Sequence, residues 1–188
     1  MDEKLAKQVL FIVADILKDL DIQFFLGCGT CLGAYREGDF IERDDDVDLL
    51  TKAEEFVPKF PLLMKTLGET FRGWKIKGGH IPLRRTNRMS MFRHGQHWDI
   101  TSLFLIDNER WLPHVLRHRI YPAYFFDNPE QIDFLGRKFN IPTPVTEYLE
   151  LNYGSDYMIP RLGRFPPEFV PKKLFGNFDK REVSEELR

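Results

Sequence analysis

Apolar residues at Leu5, Val9, Ile12, Val13, Ile16, Leu17 and Leu20 are interrupted by Lys7, Asp15, Lys18 and Asp19. That spacing of three to four residues predicts an amphipathic helix over 3–20, packed by one face on the rest of the chain. The period then changes. Ile22-Gln23-Phe24-Phe25-Leu26-Gly27 is an apolar run of the kind found in buried strands, so a first strand is predicted at 22–27. A glycine-containing turn and a short helix at 30–37 follow. From Asp46 the residues alternate: Asp46 and Asp48 with Val47 and Leu49, and then Leu50. In a strand over 46–51, Val47 and Leu49 point into a core and the two aspartates share the opposite face.

Further along, 52–67 has helical character, but Pro58 and Pro61 predict a broken helix or one that starts after Pro61. Gly73 to Lys77 alternates apolar with charged residues, Gly78-Gly79 reads as a hairpin turn, and 80–85 reads as the returning strand, with Pro82 at an edge. Met89-Ser90-Met91-Phe92 reads as another strand, Gly95 as a turn, and His97 to Ile106 as a strand that carries one carboxylate, Asp99. Residues 109–118 are predicted as a short helix whose Arg110, Arg117 and His118, with Arg119, form a solvated basic face. Residues 144–153 read as a helix stopped by Gly154. The expected organisation is one domain over 1–160 and a basic, proline-containing arm over 161–188.

The chemistry concentrates at Asp44-Asp45-Asp46-Val47-Asp48, four carboxylates in five residues, which repel one another unless something cancels their charge. Two carboxylates on one rigid strand face form a seat for a hard divalent cation, Mg²⁺ with Mn²⁺ as the alternative. Upstream, Gly29 lets backbone approach a ligand closely, Thr30 can cap the short helix and donate its hydroxyl, and Arg36 is in reach of a phosphate or a carboxylate. A phosphate cradle at Gly29-Thr30 followed shortly by the same-face aspartate pair at Asp46 and Asp48 describes a site that holds nucleotide phosphates against metal. Asp99 sits in an otherwise apolar run, where a lone charge is costly. A strand lying beside the Asp46/Asp48 strand would bring it into the same metal site. His97 shares the face of Asp99, but a lone histidine is more often structural and is left outside the core site.

The stretch Gly29-Thr30-Cys31-Leu32-Gly33-Ala34-Tyr35-Arg36, then Phe40-Ile41, then Asp44-Asp45-Asp46-Val47-Asp48, resembles the LicD/fukutin-related phosphotransferase family. Tyr148-Leu149-Glu150, Asn152-Tyr153-Gly154 and Pro160 are similar to the segment that closes the family's core. Glu42-Arg43 stands where members commonly carry Pro-Trp, a departure that bears on the adjacent substrate pocket rather than on metal binding. The resemblance implies an α+β nucleotidyltransferase-like fold, a short mixed β-sheet flanked by helices. It further implies an enzyme that moves a phospho-alcohol, phosphocholine or a polyol phosphate, from a CDP-activated donor to a hydroxyl of a glycan or lipid-linked acceptor. Asp46, Asp48 and Asp99 would be the catalytic metal ligands, Asp99 also the base, and Gly29, Thr30 and Arg36 would bind the donor phosphates. Transfer of a nucleoside monophosphate, or a non-catalytic binding module on the same fold, are the alternatives.

Composition narrows the rest. A length of 188 residues, 43% hydrophobic and 30% charged, suits one soluble core. A net charge of −2 argues against a general nucleic-acid binder. No run is long enough to span a bilayer and no secretory signal is read, so a cytoplasmic protein is expected. Cys28 and Cys31 form a Cys-x-x-Cys without a matching Cys/His pair for zinc. They read as a redox pair or, by preference, as two small residues filling a tight turn.

Overall fold

The protein is described from a computed structural model, which covers residues 1–42, 44–79, 88–112, 118–160 and the pair Phe175–Gly176. Helix α1 (Glu3–Asp19) begins where Asp2 Oδ1 accepts the Leu5 N–H at 3.1 Å, and it buries Ala6, Val9, Leu10, Val13 and Leu17. Strand β1 (Phe24–Leu26) leads into α2 (Cys28–Arg36), and β2 (Asp46–Lys52) runs straight into α3 (Ala53–Thr70). Strands β3 (Lys75–Gly79), β4 (Arg88–Arg93), β5 (Gln96–Ile106), β6 (Glu109–Leu112) and β7 (His118–Pro122) follow. A hairpin, β8 (Glu130–Phe134) and β9 (Arg137–Ile141), precedes α4 (Val145–Tyr153), and Phe175–Gly176 forms β10.

The sheet runs β1-β2-β5-β6-β7-β10, with β4 also paired to β5 and β3 to β4. All pairings are antiparallel except β2 with β5, so the sheet is mixed. That parallel pairing sets Asp46 opposite His97 and Asp48 opposite Asp99. Helix α3 packs on β2 and β5, α1 packs on α3, and α2 packs on β2 and α4. Many of the phenylalanines are core: Phe25, Phe56, Phe125, Phe126 and Phe134 are fully buried, and Phe25 meets Phe126 edge-on at 5.1 Å. No helix among the described residues is long and apolar enough to cross a membrane.

Three local expectations need correction, and one element was not foreseen. α3 passes through Pro58 and Pro61 unbroken. Both prolines lie on its exposed side, where the carbonyls they orphan can bond water, while Phe56, Leu63 and Leu67 hold the other side in the core. Gly78-Gly79 belongs to β3 and is no turn. Residues 109–118 contain no helix among the described residues; β6 turns back on β5 through Asp107-Asn108, both at positive φ, a two-residue hairpin turn. The β8–β9 hairpin has no counterpart in the sequence reading; it turns through Leu135-Gly136, φ +54° and +88°. The returning strand 80–85, with Arg84 and Arg85, lies outside the described residues, as does the 161–188 arm apart from β10.

Candidate active site

The site is built where α2 begins and β2 begins, side by side. Both backbone groups of Asp48 are tied to the α2 turn: Gly27 N–H donates to Asp48 O at 2.9 Å, and Asp48 N–H donates to Thr30 Oγ1 at 2.9 Å. Thr30 therefore does not cap α2 as expected. Gly27 is the N-cap, without a side-chain bond, and Thr30 sits buried inside the first turn as an anchor for β2. Cys28 adopts φ +42°, unusual for a residue with a Cβ, and its N–H donates to Tyr148 Oη of α4 at 3.1 Å. Gly29 allows the acidic loop to close on the turn, since a Cβ there would stand 2.6 Å from Asp44 Oδ2.

On β2 the burial alternates, with Val47 and Leu49 in the core and Asp46 and Asp48 half-buried on the other face. Across the parallel pairing, Asp99 is 1% exposed. One carboxylate oxygen from each of Asp46, Asp48 and Asp99 lies within 4.8 Å of the others. Opposed ligands of a bound Mg²⁺ stand about 4 Å apart, so a small side-chain adjustment would close these oxygens onto one ion. Oxygen donors alone suit a hard cation. Burial, together with repulsion by Asp46, pushes Asp48 up to about 7, with Arg88 pulling the other way; burial and Asp46 also push Asp44 up to about 7. The acidic cluster is thus electrostatically frustrated without a cation.

Three further side chains enter this cluster. Arg88 Nη2 pairs with Asp99 Oδ2, and Ser90 Oγ donates to Asp99 Oδ1, both from the neighbouring β4. His97 Nε2 lies 3.2 Å from Asp46 Oδ2 and 3.4 Å from Asp99 Oδ2, so the histidine set aside in the sequence belongs to the cluster. With Asp45 and Asp46 it forms a second group of three convergent ligand atoms. The signal was present in the period of two that puts His97 on the face of Asp99. The structure does not bring Arg36 to the cluster. It closes the far end of α2, where Nη1 donates to Tyr157 O at 3.1 Å and Nη2 pairs with Glu37 at 2.5 Å.

On the other side of the α2 turn stands Arg119, which is on β7 rather than on a solvated helix face; its Nη1 is 3.6 Å from Cys28 Sγ and 3.4 Å from Asn152 Oδ1. A redox nucleophile needs a thiolate, and the surroundings of Cys28 disfavour one. Burial and the nearby Asp48 charge push its thiol up to about 12, and burial raises Cys31 as well. Iodoacetamide at pH 8 is expected to leave both cysteines of the native protein unmodified and to label both in urea, as read by intact mass. Rapid native labelling of Cys28 would contradict the site drawn here.

Comparison with known proteins fits this geometry. Residues 21–144 match the family model described as LicD/FKTN/FKRP, nucleotidyltransferase domain. The chain is 27% identical over 166 residues to ribitol-5-phosphate transferase FKTN of Mus musculus, covering 84% of this chain and 34% of that protein. It is 25% identical to the Homo sapiens protein of the same name, over 96% of this chain and 40% of that one. The chain therefore spans well under half the length of these relatives. Among solved structures, the antibiotic-resistance factor ANT(2'')-Ia superposes with a TM-score of 0.50 at 13% identity, covering 83% of each chain, a likeness of fold. The mixed sheet flanked by helices is a nucleotidyltransferase-like fold, and the chain belongs to the LicD/FKTN/FKRP nucleotidyltransferase-domain family.

Proposed function

We propose that this chain is the catalytic domain of a metal-dependent phosphotransferase. It moves a polyol phosphate, ribitol 5-phosphate first among the candidates, from a CDP-activated donor to a hydroxyl of a glycan or lipid-linked acceptor. The observation that carries this reading is the convergence of Asp46, Asp48 and Asp99 from two paired strands beside the α2 turn. The family and the name of its FKTN relatives supply the substrate class. Asp46, Asp48 and Asp99 would hold Mg²⁺, which when bound neutralises the donor diphosphate.

The acceptor oxygen forms a bond to the donor phosphorus that bears the alcohol, the bridging P–O bond breaks, and CMP leaves with its electron pair. The acceptor proton needs a base. Asp99 is poorly suited to the role expected of it, because Ser90 and Arg88 already engage both its oxygens. Asp46 is the more open carboxylate, with its side chain 30% exposed beside His97. The α2 turn positions the site by locking Asp48 through Thr30 and Gly27.

The test is a calorimetric titration of CDP-ribitol, CDP-glycerol, CDP-choline, CTP and ATP with Mg²⁺, followed by product analysis with a glycan acceptor. Metal-dependent binding of one CDP-alcohol and release of free CMP is the expected result. A product that carries the nucleoside would instead establish nucleotidyl transfer. Binding of none of the five would remove the enzymatic reading.

A further inference from the structure

Three arginines among the described residues are drawn at least partly out of water, Arg110 buried and Arg36 and Arg119 half-buried, and two of them face a carboxylate. Arg36 pairs with Glu37, and Arg110 grips Glu54 with both terminal nitrogens at 2.7 Å. Arg119 is the exception. Among the described residues it makes no ion pair, and its neighbours are the Asn152 amide, the Cys28 thiol and the Tyr121 and Tyr153 phenols. All four are neutral at physiological pH, because burial raises the thiol and both phenols. A guanidinium drawn partly out of water with no carboxylate in contact keeps part of its desolvation cost, since the Asp48 charge acts on it only from further off.

The surroundings hold Arg119 in place. Asn152 is fixed at both ends of its amide: Nδ2 donates to Tyr148 O at 2.7 Å, and Oδ1 accepts from Tyr121 Oη at 2.9 Å as well as from Arg119. Asn152 and Tyr121 are themselves buried. The charge held by this network lies at the start of α2, close enough to Asp48 to favour its ionised form. Across the α2 turn, the acidic cluster of β2 and β5 thus faces a fixed cation from β7. A diphosphate complements both, with one edge toward metal and carboxylates and the other toward a planar fork of N–H donors.

We infer that Arg119, aimed by Asn152, is the residue that anchors the diphosphate of a nucleoside-diphosphate donor on the side of the site away from the metal. The inference rests on the phosphotransferase reading above. Asn152 is a positioning residue and touches no substrate.

The experiment titrates CDP and, separately, cytidine into the wild-type chain, Arg119→Gln, Arg119→Lys and Asn152→Ala with Mg²⁺, and measures Mn²⁺ binding without nucleotide. Arg119→Gln is expected to weaken CDP about tenfold to a hundredfold while leaving cytidine and Mn²⁺ unchanged, as loss of a charge-assisted contact to phosphate requires. Arg119→Lys and Asn152→Ala are expected to fall between it and wild type. Wild-type CDP affinity in Arg119→Gln overturns the inference and leaves the phosphotransferase reading standing. Equal losses for CDP and cytidine overturn it too, by showing a merely structural role. If Arg119→Gln does not fold, Arg119→Lys decides: about tenfold weaker CDP binding supports the inference, and unchanged binding overturns it. Failure of the wild-type chain to bind CDP removes the parent reading and this inference with it.

Discussion

Asp48→Asn is expected to abolish metal-dependent transfer while making the metal-free protein more stable at neutral pH. The two effects have one origin. Asp48 is pressed between the Asp46 charge and a buried setting, which together push its carboxyl up to about 7. An unfolded aspartate titrates near 4. Between these values the native state keeps a proton that the unfolded state has lost, so stability falls as pH rises through that window. The asparagine removes one such group. The metal-free variant should match wild type near pH 4 and exceed it at pH 8, by on the order of 2 kcal/mol. Divalent cation reverses the order, because wild type gains binding energy from deprotonated ligands and the variant lacks one of them.

Thermal melts at pH 4.5 and pH 8, each with chelator and with Mg²⁺, check all four corners. On the proposed function, the turnover of the variant should drop about a thousandfold, the equivalent of about 4 kcal/mol of lost transition-state stabilisation. An Asp48→Asn chain less stable than wild type at pH 8 without metal would show that the cluster is not frustrated, and the case for a cation seat would lose its electrostatic basis.

How much of this was legible in the sequence depended on whether the deciding interaction was local. The β2 alternation of aspartates with Val47 and Leu49 is a property of neighbouring residues, and its period of two is unambiguous. So is the apolar strand that carries Asp99. The parallel register that sets Asp99 opposite Asp48 is not local, although a lone buried carboxylate hinted at a partner. Residues 109–118 read as a short helix, although Asp107-Asn108 between strand-like segments is the stronger signal. That error carried Arg119 with it, since a cation on a supposed exposed helix face gives no reason to look inward. The β8–β9 turn puts Leu135 at positive φ where asparagine or aspartate would have announced a hairpin. The continuity of α3 through two prolines is settled by packing of Phe56, Leu63 and Leu67, which no window on the local sequence registers.

Gly33→Ala is expected to cost about 1–3 kcal/mol of stability and to weaken metal and donor binding together, although alanine is the better helix former. Gly33 lies in α2, and a Cβ there would stand 2.6 Å from Asp39 O and 3.1 Å from Ile41 N. Both are backbone atoms, so no side-chain rotation relieves the overlap, and the 39–42 segment must shift. That segment leads into Asp44 and Asp46, which ties the packing of a helix glycine to the geometry of the carboxylates. Two other glycines show that the cause is contact rather than residue type. At Gly29 the clash is with the side-chain oxygen of Asp44, which can rotate away, so Gly29→Ala should spare stability and disturb only the acidic loop. At Gly68, on the exposed side of α3, a Cβ meets nothing within 4 Å, and Gly68→Ala should stabilise by up to about 1 kcal/mol. Urea denaturation of the three variants, paired with Mn²⁺ titration, separates these signs. A Gly33→Ala chain as stable as wild type, with wild-type metal affinity, would mean that the 39–41 backbone does not rest on α2 and that some other contact holds the acidic strand in register with the α2 turn.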